Sequence, residues 1–207
     1  MSDRSTKVFV LDLIERISIL VLYGYLCSRI LLGSTDGNVV NLLLLPSEGI
    51  VVLFVLVRRR ASELSMRASD WAAAIVATVM PLLVKPSGDS LRLLPDAAAA
   101  SLIVIGILVQ VHAKLILGRS IGCVPAHRGL KLSGPYRFVR HPMYTGYFLT
   151  HLAFLSINPT AWNAGVYLLC YLAQIPRILA EERLLSGDPL YSEYMDRVRY
   201  RLLPGVF

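Results

Sequence analysis

RFVRHPMYTGYF, residues 137–148, sets two arginines, a histidine, a proline, two tyrosines and a glycine at the edge of an apolar stretch that continues to residue 157. His141 precedes a proline, which pushes it out of helical geometry, while proline itself suits the first position of a helix. A helix is therefore expected to start at Pro142. Its first-turn N–H groups carry partial positive charge, a place for a carboxylate or phosphate. Tyr144 falls in the same turn, and Gly146 removes a side chain where a ligand or a neighbouring helix can approach the backbone. Taken singly, His141 reads as a hydrogen-bonding helix terminus and Tyr144 as an interfacial anchor; together they point to a site.

The 207-residue chain around this stretch is 55% hydrophobic with a mean hydropathy of +0.59, which indicates a polytopic membrane protein. Apolar segments lie at roughly 9–32, 39–57, 70–85, 96–117, 143–157 and 160–179. They predict an all-α transmembrane bundle of five to six helices. The last two segments, separated by Asn158-Pro159, are expected to form a tight antiparallel hairpin. Residues 1–95 are expected to form N-terminal transmembrane helices and 96–207 the region that carries the site, in one integrated membrane domain. Asp12 and Arg16, four apart, are expected to neutralise each other on one helix face. Asp70 and Asp96, or their immediate neighbours, are expected to cap segments three and four through a side-chain oxygen. Asp12, Glu15 and Arg16 interrupt the first segment and no small-residue cleavage site follows, so it reads as a retained helix.

The formal charge of +7 falls between the apolar runs, so it orients the chain in a bilayer and does not indicate nucleic-acid binding. Lys and Arg number two in 1–7, four in 58–70, five in 118–142 and five in 177–207, against none in 33–38 and two in 85–95. With six crossings every basic-rich segment falls on one side, expected to be cytosolic with both termini, in a plasma, inner or endoplasmic-reticulum membrane. Cys27, Cys123 and Cys170 lack metal-ligand spacing, and no metal site is expected.

Between Gly118 and Pro142 the loop carries Arg119, Arg128, Lys131, Arg137 and Arg140, no acid, and several turn-forming glycines and prolines. An anionic-lipid patch is the simplest account, but the turns shape this loop to fold over something. The expected hairpin returns Glu181 and Glu182 to the level of Arg140 and His141. Two acids at a helix C-terminus oppose the helix dipole, which calls for a partner: Arg137, Arg140 or Arg177, or a cationic ligand. Tyr191, Tyr194, Met195 and Val198 recur at helical spacing, predicting an interfacial tail helix pressed onto the membrane and able to cap the site. Glu48, beside Pro46 and Gly49, is a candidate by its intramembrane position, with Arg16, Arg29 or a backbone group as partner.

GPYRFVRHPMYTGY, followed by EERLL and a Tyr-x-x-Tyr tail, resembles the isoprenylcysteine carboxyl methyltransferase and phospholipid methyltransferase superfamily of integral membrane enzymes. The resemblance covers about Gly118 to Phe207. It implies an S-adenosylmethionine-dependent methyltransferase acting on a lipid or lipidated acceptor that arrives from the bilayer. By motif position Tyr136, Arg137, Arg140, His141, Pro142, Tyr144, Gly146, Glu181 and Glu182 belong to the cofactor pocket, and Tyr191 and Tyr194 to the substrate side. The pattern suits the cofactor: a helix N-terminus and arginine for its carboxylate, Glu181 or Glu182 for the ammonium or ribose, and tyrosines for the ring and the sulfonium.

Methyl transfer is an in-line displacement that chiefly needs alignment. Arg140, Glu182 and His141 are the candidate catalytic residues: Arg137 or Arg140 orients a carboxylate acceptor, or Glu182 or His141 takes a proton from an amine. Sterol reductases share an Arg-His-Pro-x-Tyr-x-Gly element, so an NADPH-dependent enzyme is one alternative; a lipid-binding protein without turnover is another.

Overall fold

A computed structural model describes residues 3–33, 39–87 and 92–207. The helices are α1 (Asp3–Gly33), α2 (Val39–Leu56), α3 (Ala68–Val79), α4 (Asp96–Leu117), α5 (Pro142–Ile157), α6 (Ala161–Leu185) and α7 (Pro189–Arg197). One short antiparallel ladder joins β1 (Glu63–Leu64) to β2 (Ala126–His127). The helix starts follow local chemistry. Pro142 opens α5 with His141 outside helical geometry (φ −128°, ψ 59°). Thr160 caps α6 by accepting from the Asn163 N–H, and Asp188 caps α7 by accepting from Leu190. Neither Asp70 nor Asp96 is itself the cap: Arg67 holds that position on α3 and Pro95, the neighbour of Asp96, holds it on α4, and neither makes a side-chain cap bond. Both acids sit in first turns, where the helix dipole still favours them; Asp70 pairs with Arg183 at 2.7 Å and Asp96 with Arg92.

Among the described residues one helix, Asp96–Ser120, is long and apolar enough to cross a membrane on composition alone, and Ala68–Leu83 is a shorter apolar helix. Elsewhere helices expose bulky apolar faces: Ile17 and Val21 on α1, Leu168 and Leu172 on α6. Apolar faces left open on several helices mark a lipid or partner surface. The charge-poor connection expected at 33–38 falls largely outside the described residues.

The tight hairpin is not what forms. α5 and α6 are joined by a short turn, but α5 lies against α4 and α6 against α3. Gly146 explains the first pairing: a Cβ there would lie 2.7 Å from the Gly106 carbonyl oxygen, and one on Gly106 would lie 2.9 Å from that of Gly146. The two glycines let α4 and α5 meet backbone to backbone.

Asp12 does not neutralise Arg16. It pairs with Arg58 at 3.1 Å and Arg128 at 2.9 Å, while Glu15 pairs with the same two arginines, and Arg16 donates to the Leu56 carbonyl. All four side chains of the cluster are at least nine-tenths buried, so each charge needs an opposite one at hand. Glu15 also accepts from the Cys123 and Val124 N–H groups at 2.6 and 2.9 Å. The loop after α4 is thereby tied to α1. Glu48 pairs with Lys114 at 3.3 Å and not with Arg16; the Arg29 side chain lies outside the described residues.

Placing a methyl group at the α4–α5 contact is expected to cost ~1–3 kcal/mol by overpacking. Gly146→Ala should lower the midpoint of thermal unfolding in detergent, whereas Gly165→Ala, with open space around its Cβ, should leave it within experimental scatter or raise it slightly.

Candidate active site

Where α6 ends, Glu182 gathers three cationic or hydrogen-bonding side chains from distant parts of the chain. Arg140 Nε donates to Oε1 at 2.7 Å, His141 Nε2 to the same oxygen at 3.1 Å, and Arg201 Nε to Oε2 at 2.9 Å. Arg140 also donates through Nη1 to the Val198 carbonyl at 2.8 Å. Its backbone N–H and that of His141 donate to the carbonyls of Tyr200 and Arg201, both at 2.9 Å. One carboxylate thus ties the Arg-His-Pro turn to the tail. Burial alone would raise the Glu182 carboxyl, but the hydrogen bonds and charges of His141 and Arg140 outweigh it and lower its pKa to about 2.

Glu181, one residue earlier, keeps an open face, with a third of its side chain exposed. Its Oε2 accepts from the Tyr144 hydroxyl at 3.3 Å and lies 4.0 Å from His141 Nδ1. Together with Tyr136, Arg128, Lys131, Tyr191 and Tyr194 it lines a cavity of about 50 Å³, beside His141 and Arg140. Burial raises the pKa of the Tyr136 phenol well above its ordinary value, and the nearby Glu181 adds to that, so this phenol stays neutral.

The tail helix differs from expectation. Tyr191, Tyr194 and Val198 pack on Leu130, Leu132 and Leu185, not on a membrane surface, and the Tyr194 hydroxyl donates to the Tyr136 carbonyl at 2.7 Å. The loop after α4 offers these rings a protein surface that takes precedence over lipid. α7 therefore does roof the small cavity, in company with the loop.

A second cavity of about 410 Å³ opens between the splayed α5 and α6 and reaches α1 through α4; Tyr23, Glu48, Tyr144, Tyr147, Gln174 and Arg177 are on its wall. Arg177 is 6% exposed. It donates to the Cys123 carbonyl at 3.0 Å and lies over the Tyr144 ring at 5.2 Å. Among the described residues no carboxylate pairs with it within 4 Å. Tyr144 stacks on His141 with ring centroids 5.6 Å apart, so this pair separates the two cavities.

Of the residues singled out in the sequence, Tyr136, Arg140, His141, Tyr144, Glu181, Glu182, Tyr191 and Tyr194 converge. Pro142 is fully buried as the first residue of α5. Arg137 is exposed and lines neither cavity, and Gly146 faces α4. Arg177 and Gln174 were not assigned to the site by sequence. Their signal was spacing: 174, 177 and 181 follow one face of α6.

Residues 99–187, less than half of the chain, match the family model of the isoprenylcysteine carboxyl methyltransferase (ICMT) family. This is a family of membrane methyltransferases, and the matched region runs from the first turn of α4 through the loop and α5 to the end of α6, Glu182 included. No curated protein matches the chain.

Glu182→Gln should destabilise the fold by ~3–5 kcal/mol, since it leaves Arg140 and Arg201 without their counter-charge. The native pKa is lower than the unfolded one, so the stabilisation is complete above pH ~4.5 and is lost as the pH falls toward 2. Unfolding of both proteins followed across pH 2–7 should show a wide gap above pH 5 that narrows toward pH 2.

Proposed function

We propose that the chain is an S-adenosylmethionine-dependent methyltransferase of the bilayer, with the donor at the small cavity and a lipid-like carboxylate acceptor in the large one. The observation that carries the acceptor half is Arg177: a buried guanidinium on a cavity wall, without an acid partner. A charge held there is costly unless an anion joins it. The same observation favours a carboxylate over an amine, and a carboxylate needs no base.

The small cavity suits the donor in kind. Glu181, a third exposed, offers its carboxylate to an ammonium or ribose hydroxyls, Lys131 supplies positive charge for a carboxylate, and Tyr136, Tyr191 and Tyr194 offer faces to a ring or a sulfonium. In volume, about 50 Å³ holds only a few waters at ~10–15 Å³ each. Loading therefore requires the roof of Leu130, Leu132, Tyr191 and Tyr194 to lift, a motion suited to a short tail helix held at one end by Glu182. When bound, S-adenosylmethionine supplies an electrophilic methyl group, which an acceptor oxygen takes in line as the carbon–sulfur bond breaks.

The chain's own residues align and shield. Glu182, already engaged by three partners, positions Arg140 and His141 and does not bind the ammonium. The Tyr144–His141 stack forms the partition at which acceptor and donor meet, and Arg177 sets the acceptor's head against it. The six-crossing topology, with both termini and the Glu182 end in the cytosol, follows from the distribution of basic residues. Acceptors then enter sideways from the bilayer between α5 and α6.

In nanodiscs the protein should bind S-adenosylmethionine by calorimetry. Glu181→Ala should weaken that binding by about tenfold or more, a charge-assisted hydrogen bond being worth ~1.5–3 kcal/mol. Arg177→Leu should abolish methyl transfer to a lipid acid but keep donor binding. Binding of a reduced nicotinamide dinucleotide in place of S-adenosylmethionine would favour the reductase reading instead.

A further inference from the structure

The end of α2 gathers arginines from three parts of the chain. Arg16 of α1 donates through Nη2 to the Leu56 carbonyl, and Arg119, just after α4, donates through Nε to the Val57 carbonyl at 2.7 Å. Arg59 and Arg60 follow α2 and are exposed, as is Arg119. The Arg59 N–H donates to the Arg119 carbonyl at 2.8 Å, and the Arg60 guanidinium lies over the Phe9 ring, 5.1 Å from its centroid. A helix C-terminus attracts cations, but its dipole amounts to roughly half a negative charge, against four positive ones here. The neighbouring acids do not balance them either. Asp12 and Glu15 are engaged by Arg58 and Arg128, which they neutralise one for one. Among the described residues no carboxylate lies within 4 Å of Arg16, Arg59, Arg60 or Arg119, so positive charge is in surplus at this end of the helix.

Large apolar side chains border the cluster: Leu53 and Leu56 on α2 and Leu13 and Ile17 on α1 are all exposed. Basic residues gathered at the cytosolic end of a spanning helix attract anionic lipid. We propose that the end of α2 is a binding site for the phosphate of an anionic phospholipid of the cytosolic leaflet, held by Arg16, Arg59, Arg60 and Arg119, with an acyl chain against α1 and α2. A guanidinium carries five N–H donors in a planar fork that matches phosphate oxygens. Arg16 and Arg119 each use a donor on a helix-end carbonyl, which fixes the group in place and leaves the others for a ligand. Phe9, under Arg60, and Arg16 are seven residues apart on one face of α1, about 10 Å along its axis. The arginines therefore range over the depth of a headgroup layer, ~5–8 Å. A phosphate seated there joins α1, the segment after α2 and the loop that borders both cavities. The site is independent of the methyl-transfer reading.

The test uses the full chain in an uncharged detergent and two lipids with the same acyl chains, dimyristoyl phosphatidylglycerol and dimyristoyl phosphatidylcholine, with each bound lipid counted by native mass spectrometry. The wild type is expected to bind its first phosphatidylglycerol about tenfold or more tightly than phosphatidylcholine, one basic residue at an anionic surface being worth roughly fivefold. Arg59→Gln combined with Arg60→Gln should remove most of that preference. Neither side chain makes a hydrogen bond or ion pair among the described residues, so the fold should tolerate the change. Arg197→Gln combined with Arg199→Gln takes the same charge from two exposed positions of the tail and should leave the preference as it is. Millimolar inorganic phosphate should not displace the lipid. Equal binding of the two lipids to the wild type overturns the assignment, as does an equal loss of preference in both double variants, which would show diffuse charge and not a site. Displacement of phosphatidylglycerol by inorganic phosphate would show a site for a free anion and overturns the lipid as its occupant.

Discussion

The Glu182 carboxylate is the contact on which the site depends. It accepts from Arg140 and His141 at the start of α5 and from Arg201 in the tail, so one anion closes a loop between chain segments that no secondary structure links. α5 and α6 diverge from their connecting turn, because Gly106 and Gly146 draw α5 onto α4. Side chains bridge the two helices midway, as where His151 bonds the Tyr171 hydroxyl at 3.0 Å, and the ion cluster joins their far ends. The large cavity lies beside that seam and is walled also by α1 to α4. A buried charge cluster is a poor source of net stability, but it is demanding about geometry, and here it fixes the Arg140–His141 turn against the tail.

Much of this was legible in the sequence at its punctuated end. His141-Pro142 marks a helix start from steric rules alone, and two acids at a helix C-terminus call for cations. The tail was read half correctly: the spacing of Tyr191, Tyr194 and Val198 gives an amphipathic helix, but periodicity cannot say whether the apolar face meets lipid or protein. Leu130 and Leu132, in a loop without periodicity, supplied the partner. The splaying of α5 from α6 was likewise hidden, since a small residue such as Gly146 invites a close neighbour without naming it. Arg177 was visible as a basic residue near two acids, and the natural inference was an ion pair. Only the coordinates show that Glu182 is already taken and that Arg177 faces a cavity.

The N-terminal half illustrates a different limit. Asp12, Glu15 and Arg16 look like a self-neutralising helical patch, yet the acids reach across to Arg58 and Arg128. Local pairs between exposed charges are worth a few tenths of a kcal/mol, whereas leaving Arg58 or Arg128 buried and unpaired would cost several. The longer-range arrangement therefore prevails. Arg128 lies on the wall of the small cavity and Gly122 on that of the large one. A helix outside the family match thus fixes the loop that borders both.

That arrangement separates two tasks. The region that matches the methyltransferase family holds the Tyr144–His141 stack that lies between the two cavities. α1 and α2 add Tyr23, Glu48 and Val51 to the large cavity's wall, and Glu48 is kept there by Lys114 of α4, whose side chain is fully buried. Polar side chains continue down that wall from Arg177 through Gln174 and Tyr147 to His151 and Tyr167. A lumen for a bare hydrocarbon chain gains nothing from such a lining, because each polar group must find a partner or lose hydration. The groups that satisfy one another, Glu48 with Lys114 and His151 with Tyr171, shape the cavity.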